Sequence, residues 1–163
     1  MAQPGRGGAA MPGDREADRQ WLTAAIDLSR RCPPSRSAFS VGALLVASSG
    51  EVIATGYSRE ADPKDHAEEV ALRRAAGAGV TDLTAATLYS SLEPCLRRVS
   101  RPDSCAALVS AAGVRRVVIA WREPPLFVPG GGAAWLAERG VAVVELPEFA
   151  GAARAVNQHL LKS

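Results

Sequence analysis

Asp65-His66-Ala67-Glu68-Glu69-Val70-Ala71-Leu72 (65–72) and Ser91-Leu92-Glu93-Pro94-Cys95 (91–95), with Cys105 to follow, are the stretches on which this sequence turns. They bring together one imidazole, two thiols and a carboxylate. A catalytic zinc takes three protein ligands and keeps a fourth position for water. His66, Cys95 and Cys105 meet that count, and two thiolates leave the site without net charge. Each ligand is expected at a helix start. Asp65 suits the cap of a helix beginning at His66. Pro94 suits the first position of a helical turn, with Cys95 just inside it. Asp103 can cap the helix that carries Cys105. Helix N-termini carry partial positive charge, which lowers thiol pKa and favours the thiolates a metal needs. Taken singly, the residues have plainer readings: Asp65-x-x-Glu68 is also a capping box, and free cysteines are common in cores. The set together is the argument for metal chemistry. Cys32, between Arg31 and Pro33, reads as a spare thiol, and His159 as a helix-face residue.

Working outward, Asp14 caps a helix running to about Arg31, with Trp21, Leu22, Ala25, Ile26 and Ser29 on one stripe. Cys32-Pro33-Pro34 ends it. VGALLVA (41–47) and EVIATGY (51–57) flank a Ser-Ser-Gly turn and read as a hairpin. Helices are expected over 66–78 and 103–112, and strands at 87–92, 115–121 and 141–144. A short helix follows Gly130-Gly131-Gly132, and a last one spans about 147–161. The glycine run is a loop, since no Gly-Lys-Ser/Thr follows it and it does not fit a dinucleotide fingerprint. Strands 41–47 and 117–120 are apolar without alternation, as when helices cover both sheet faces. The order implies an α/β fold, a three-layer α/β/α sandwich on a five-stranded mixed sheet.

Length and composition fit one domain: 163 residues, 47% hydrophobic and 22% charged. Residues 1–12 are expected as a disordered tail and 13–163 as the single folded domain. With 19 basic against 17 acidic residues and 5% aromatics, the chain lacks the basic track and stacking surface of a nucleic-acid binder. No apolar run approaches the roughly 20 residues of a membrane span, and no signal peptide is evident. A cytoplasmic protein without disulfides is expected.

His-x-Glu followed by Pro-Cys and a further Cys resembles the signature of the zinc deaminases of the cytidine-deaminase superfamily. In that family zinc activates a water, and the equivalent of Glu68 takes its proton and returns it to the ring nitrogen and the departing amine. The nine residues between Cys95 and Cys105 depart from Cys-x2-Cys. They resemble the pyrimidine deaminase of riboflavin biosynthesis, whose motif runs Glu-Pro-Cys, eight residues, then Cys. HAEEVAL (66–72) is similar to its HAE-x-x-AL, and CAALVSAAGVRRVVIA (105–120) to its C-x-x-ALI-x-AGV-x-RVV. EPPLFVPGGG (123–132), LAERGVAV (136–143) and AVNQHLL (155–161) are similar to its DPNP-x-V-x-G-x-G, L-x-x-AGI-x-V and LN-x-x-F. The resemblance implies Zn2+, a small-molecule pyrimidine substrate and a homo-oligomer, dimer or tetramer. It also implies a carbonyl-binding N–H from Ala67 and an amine-accepting carbonyl from Glu93.

The departures fall in the substrate pocket. Where that family has Asn-Pro-x-Val-Gly, this chain has Ala38-Phe39-Ser40-Val41-Gly42, closer to the F-x-V-G-A of cytidine deaminases. Ser58-Arg59-Glu60 resembles their ribose-binding N-x-E, which makes Glu60 a candidate sugar contact. Arg97, Arg98 and Arg101 replace a His-Gly-Arg/Lys-Thr region; Arg101 keeps its place counted back from Cys105 and is a candidate phosphate clamp. The riboflavin enzyme is usually fused to a reductase, and this chain is expected to act without one. The expected activity is hydrolytic deamination of a free aminopyrimidine nucleotide or nucleoside. The alternatives are a cytidine-type deaminase of a specialised pathway and a non-catalytic zinc module for assembly or sensing.

Overall fold

The computed structural model describes residues 14–98, 101–124, 126 and 130–161; the expected tail, 1–12, lies outside them. A first helix, α1 (Arg15–Ser29), leads to strands β1 (Gly42–Val46) and β2 (Val52–Tyr57). Helix α2 (Ala67–Gly77), strand β3 (Thr87–Ser90), helix α3 (Cys105–Ala111) and strand β4 (Arg116–Ile119) follow. Helix α4 (Gly132–Glu138) and strand β5 (Ala142–Glu145) precede helices α5 (Ala150–Val156) and α6 (Gln158–Leu161). Asp14 caps α1, accepting from the Ala17 N–H at 3.2 Å.

The five strands form one mixed sheet in the order β2-β1-β3-β4-β5. β1 is antiparallel to β2 and β3, while β3–β4 and β4–β5 are parallel. The parallel half follows from the helices that intervene between its strands. β1 and β4 are buried along their whole length, as two covered faces require.

Two glycines show where the layers lie. A Cβ on Gly42 would stand 2.1 Å from the Ala25 carbonyl oxygen of α1. One on Gly56 would stand 2.5 Å from the Ala67 carbonyl oxygen of α2. Gly42 pairs with Tyr57 and Ala43 with Gly56, so the two glycines face opposite sides of the sheet. α1 therefore packs on one face, beside α5, and α2 on the other, beside α3 and α4. Leu22, Ala25 and Ile26 of α1 and Val70, Ala71 and Ala75 of α2 are sealed against the sheet; a side chain such as Leu22, fully buried, contributes about 2 kcal/mol. Among the described residues no helix is long and apolar enough to cross a membrane.

The ends of elements differ from expectation in informative ways. α2 takes His66, not Asp65, as its N-cap. α3 is capped by Ser104, whose Oγ accepts from the Ala107 N–H at 3.0 Å, and not by Asp103. No helical turn begins at Pro94, and Cys95 sits in a loop. The final helix expected over 147–161 is a 3-10 turn (Pro147–Phe149) and two short helices that break at Asn157, whose side chain is drawn into a tertiary contact.

Candidate active site

His66 is the last extended residue before α2, and its backbone N–H donates to Glu69 Oε1 at 3.2 Å. Glu69, not Glu68, is thus the acid that reaches back in the capping box. That one-residue shift leaves Glu68 free. Asp65, 1% exposed, instead accepts from the N–H groups of Ala61 and Asp62 at 3.2 and 3.0 Å and pairs with Arg73 at 3.3 Å. Burial alone would push its carboxyl up; the two N–H groups and the guanidinium outweigh that and hold it below the usual range.

The turn into α2, the loop after β3 and the first residue of α3 converge. His66 Nδ1 lies 3.3 Å from Cys105 Sγ and 3.7 Å from Cys95 Sγ, and one ligand atom from each of the three falls within 4.8 Å of the others. The Cys105 backbone N–H, at the start of α3, points at Cys95 Sγ from 3.3 Å. The Cys95 thiol is pulled down to about 4, chiefly by the hydrogen bond from the Cys105 side chain, with His66 helping. Cys105 is pushed the other way by the same bond and by burial. A soft thiolate, a second thiol and an imidazole within one ion's reach, in a buried pocket, fit a tetrahedral zinc with one position to spare. Arg98 borders the cluster: its side chain, 2% exposed, reaches to 4.0 Å from Cys105 Sγ and donates to the Lys64 carbonyl at 2.8 Å and Glu69 Oε1 at 3.2 Å.

Glu68 is 3% exposed and meets Ser90, whose Oγ lies 2.9 Å from Glu68 Oε2 and 2.7 Å from the Leu92 carbonyl oxygen. Burial raises the Glu68 carboxyl, and the negative charge of Cys95 raises it further.

A cavity of about 340 Å³ opens beside these groups, lined by His66, Ala67, Glu68, Glu93 and Cys95 at its base and by Phe39 on one wall. Phe39 packs edge-on against Trp121, ring centres 5.6 Å apart. The Glu93 carboxylate is spent on structure, accepting from the Glu123 and Ala133 N–H groups at 2.8 and 2.7 Å. Two expected contacts are not brought to the cavity wall. Glu60 accepts from Arg74 Nη2 at 2.6 Å and from the Tyr57 N–H at 3.3 Å. Arg101 is held at 3.4 Å from Asp65 and 3.1 Å from Glu69. Ser58, Arg59, Lys64, Arg97 and Arg98 line the cavity in their stead. Among the described residues no carboxylate pairs with Arg97.

Glu123 is the residue that sequence reasoning missed. It lines the cavity, its Oε1 is buried without a hydrogen-bond partner, and burial, then the charges of Cys95, Glu68 and Glu93, push its carboxyl up to about 8. The available signal was the first residue of EPPLFVPGGG, an acid where the resembled motif also has one.

Residues 15–121 match the family of the cytidine and deoxycytidylate deaminase zinc-binding region. The chain is 37% identical over 131 residues to the diaminohydroxyphosphoribosylamino-pyrimidine deaminase of Schizosaccharomyces pombe, covering 80% of this chain and 32% of that protein. It is 38% identical over 104 residues to the riboflavin biosynthesis protein RibD of Escherichia coli, covering 64% of this chain and 26% of that one. Among solved structures, Acinetobacter baumannii RibD superposes with a TM-score of 0.76 at 31% identity, over 88% of this chain and 39% of that chain. The chain thus spans about a third of the length of these relatives. On the fold, the ligand cluster and the extent of the match, the chain belongs to the cytidine and deoxycytidylate deaminase zinc-binding family.

Proposed function

We propose that residues 13–163 form a zinc-dependent hydrolytic deaminase of a free aminopyrimidine nucleotide, with the riboflavin-pathway 2,5-diamino-6-ribosylamino-pyrimidinone phosphate as first candidate. The observation that carries this reading is Glu68: a buried carboxyl, released from helix capping by Glu69, beside three side chains suited to zinc. His66, Cys95 and Cys105 would hold the metal, which when bound makes water acidic enough to lose a proton near neutral pH.

Glu68 accepts one proton of the attacking water and delivers it to the ring nitrogen. It then takes the remaining proton from the hydroxyl added to the ring carbon and hands it to the departing amine, which leaves as ammonia; one carboxyl serves as base and acid in turn. Ser90 supports both states. It donates to the ionised Glu68, and it can donate to the Leu92 carbonyl while accepting from the protonated form. The Ala67 N–H meets a pyrimidine carbonyl, and the Glu93 carbonyl receives the leaving amine. Phe39 packs on the ring. Glu123, with its unpartnered oxygen, faces an amino substituent. Arg97, which has no carboxylate partner among the described residues, meets the phosphate at the cavity mouth.

The match to the fission-yeast deaminase favours the diaminopyrimidinone over cytidine-type compounds; Phe39 on the cavity wall favours the latter as second candidate. The test is ammonia release by zinc-loaded protein from the diaminopyrimidinone ribosyl phosphate, cytidine, deoxycytidine, their monophosphates, cytosine, guanine and an oligonucleotide, with Glu68→Ala as blank. Release from the phosphorylated diaminopyrimidinone alone is expected. Release from cytidine compounds alone would replace the substrate, and silence with one zinc per chain would leave a binding or sensing module.

A further inference from the structure

The wall of the cavity that carries Ala38 and Phe39 belongs to no helix or strand, yet it is held from two sides. On one side stands Asn157, 2% exposed, at the break between α5 and α6. Its Oδ1 accepts from the Ser40 N–H at 2.6 Å, and its Nδ2 donates to the Ser40 carbonyl at 3.1 Å and to the Ala153 carbonyl at 3.3 Å. A side chain 117 positions away thus offers Ser40 the donor and acceptor that a neighbouring strand would offer.

On the other side stands Arg59, itself a cavity residue. Its φ of 59° lies in the left-handed region, which a residue with a Cβ seldom adopts. Its guanidinium donates to the Pro33 carbonyl at 3.2 and 2.7 Å, to the Phe39 carbonyl at 3.1 Å and to Ser40 Oγ at 2.8 Å. Four directed bonds from one planar fork are more than a lysine could make. The two side chains therefore grip the same residue, Ser40, immediately after the aromatic ring that faces the cavity.

We propose that Asn157 and Arg59 are positioning residues: by fixing Ser40 through its backbone and through its hydroxyl they set where Phe39 stands, and so set substrate affinity and selectivity, while Glu68 sets the rate of the chemistry. This rests on the deaminase reading above. It gives the C-terminal helices a role in the site although they contribute no residue to the cavity lining among those described.

The experiment has two arms, on zinc-loaded Arg59→Ala, Arg59→Lys, Asn157→Asp and the double variant Arg59→Ala/Asn157→Asp. Asn157→Asp keeps the acceptor for the Ser40 N–H and loses the donor. In the first arm, amide hydrogen exchange is measured without substrate. Exchange at 38–41 is expected to accelerate about tenfold while the amides of β4 stay protected. In the second, KM is expected to rise about tenfold with kcat within about twofold, at unchanged zinc content. The double variant should raise KM by less than the product of the two single effects, because both act through Ser40. Unaltered exchange at 38–41, a fall in kcat with KM unmoved, or multiplicative effects on KM would each overturn the proposal. If the wild-type protein turns over no aminopyrimidine, the deaminase reading alone falls, and the exchange arm still decides whether the grip on Ser40 exists.

Discussion

One cluster of buried polar side chains lies behind α1 and another at the start of α2, and they are built on opposite principles. In the first, Asp18 accepts from the Arg116 guanidinium at 2.9 and 2.6 Å and from the Tyr89 hydroxyl at 2.6 Å. One carboxylate meets one bidentate cation, and the pair ties α1 to β3 and β4. In the second, Glu68, Cys95, Cys105 and Glu123 crowd acids together, and Arg98 reaches it only through a long contact of 4.0 Å to Cys105 Sγ. The first cluster is closed by its own charges. The second is short of positive charge, and a divalent metal between the thiols supplies what the chain withholds. Equal burial therefore does not mean equal purpose: one arrangement spends its polarity on stability, the other keeps it for chemistry.

The comparison breaks most sharply at Glu68. Glu68→Gln can still accept from Ser90 and keeps the shape of the pocket, so folding and zinc content should survive. Its kcat should fall about 10³-fold, because the carboxyl that takes up and returns the proton is gone. Steady-state kinetics alongside metal analysis check this; a variant within tenfold of wild type would remove Glu68 from the mechanism. Asp18→Ala is the mirror case. It leaves the Arg116 guanidinium buried without its counter-ion and should cost about 3–5 kcal/mol in urea unfolding. The activity per folded molecule should hardly change. If activity fell as steeply as stability, the two clusters would not be separable.

Glu69→Ala is a smaller blow. It removes the capping-box carboxylate of α2 and a partner of Arg98 and Arg101, and should cost about 1–2 kcal/mol with kcat within a fewfold of wild type. The pair Glu68/Glu69 also shows what was legible in the sequence. The ligand types and their order stand in plain view at 66–68, 95 and 105, and the hairpin and the alternation of helix and strand fix the five-stranded sheet. The cap of α2 was expected one residue early, since Asp65 is as good an N-cap as any, and only its burial against Ala61, Asp62 and Arg73 disqualifies it. Ser104 takes the cap of α3 although Asp103 stands beside it exposed, since propensity does not rank two adjacent capping residues. Glu60 and Arg101 were read as substrate contacts because nothing local reveals that Arg74 and Asp65 claim them. Asn157 and Glu123 lie inside stretches that resemble the family's motifs, but their surroundings are not legible there: the contacts of Asn157 are made across 117 positions, and the raised carboxyl of Glu123 comes from burial.

Glu123 offers the finest test of the contrast, and its sign can be worked out. Its carboxyl is pushed from an ordinary 4.5 up to about 8, first by burial and then by neighbouring negative charge. Between those two values the folded protein keeps a proton that the unfolded chain has already lost. Unfolding then releases a proton, so stability falls as pH rises through that window, and the loss is complete above about 8. Glu123→Gln carries its amide unchanged through the whole range. The metal-free variant should therefore lose less stability than metal-free wild type between pH 5 and pH 9, with the curves closest at the acid end. Thermal unfolding at a series of pH values reads this directly. Bound zinc should narrow the gap, because a cation among the thiols removes part of the repulsion that raises the carboxyl. Parallel curves without metal would mean that Glu123 is already satisfied, and would move it from the open cluster to the closed kind.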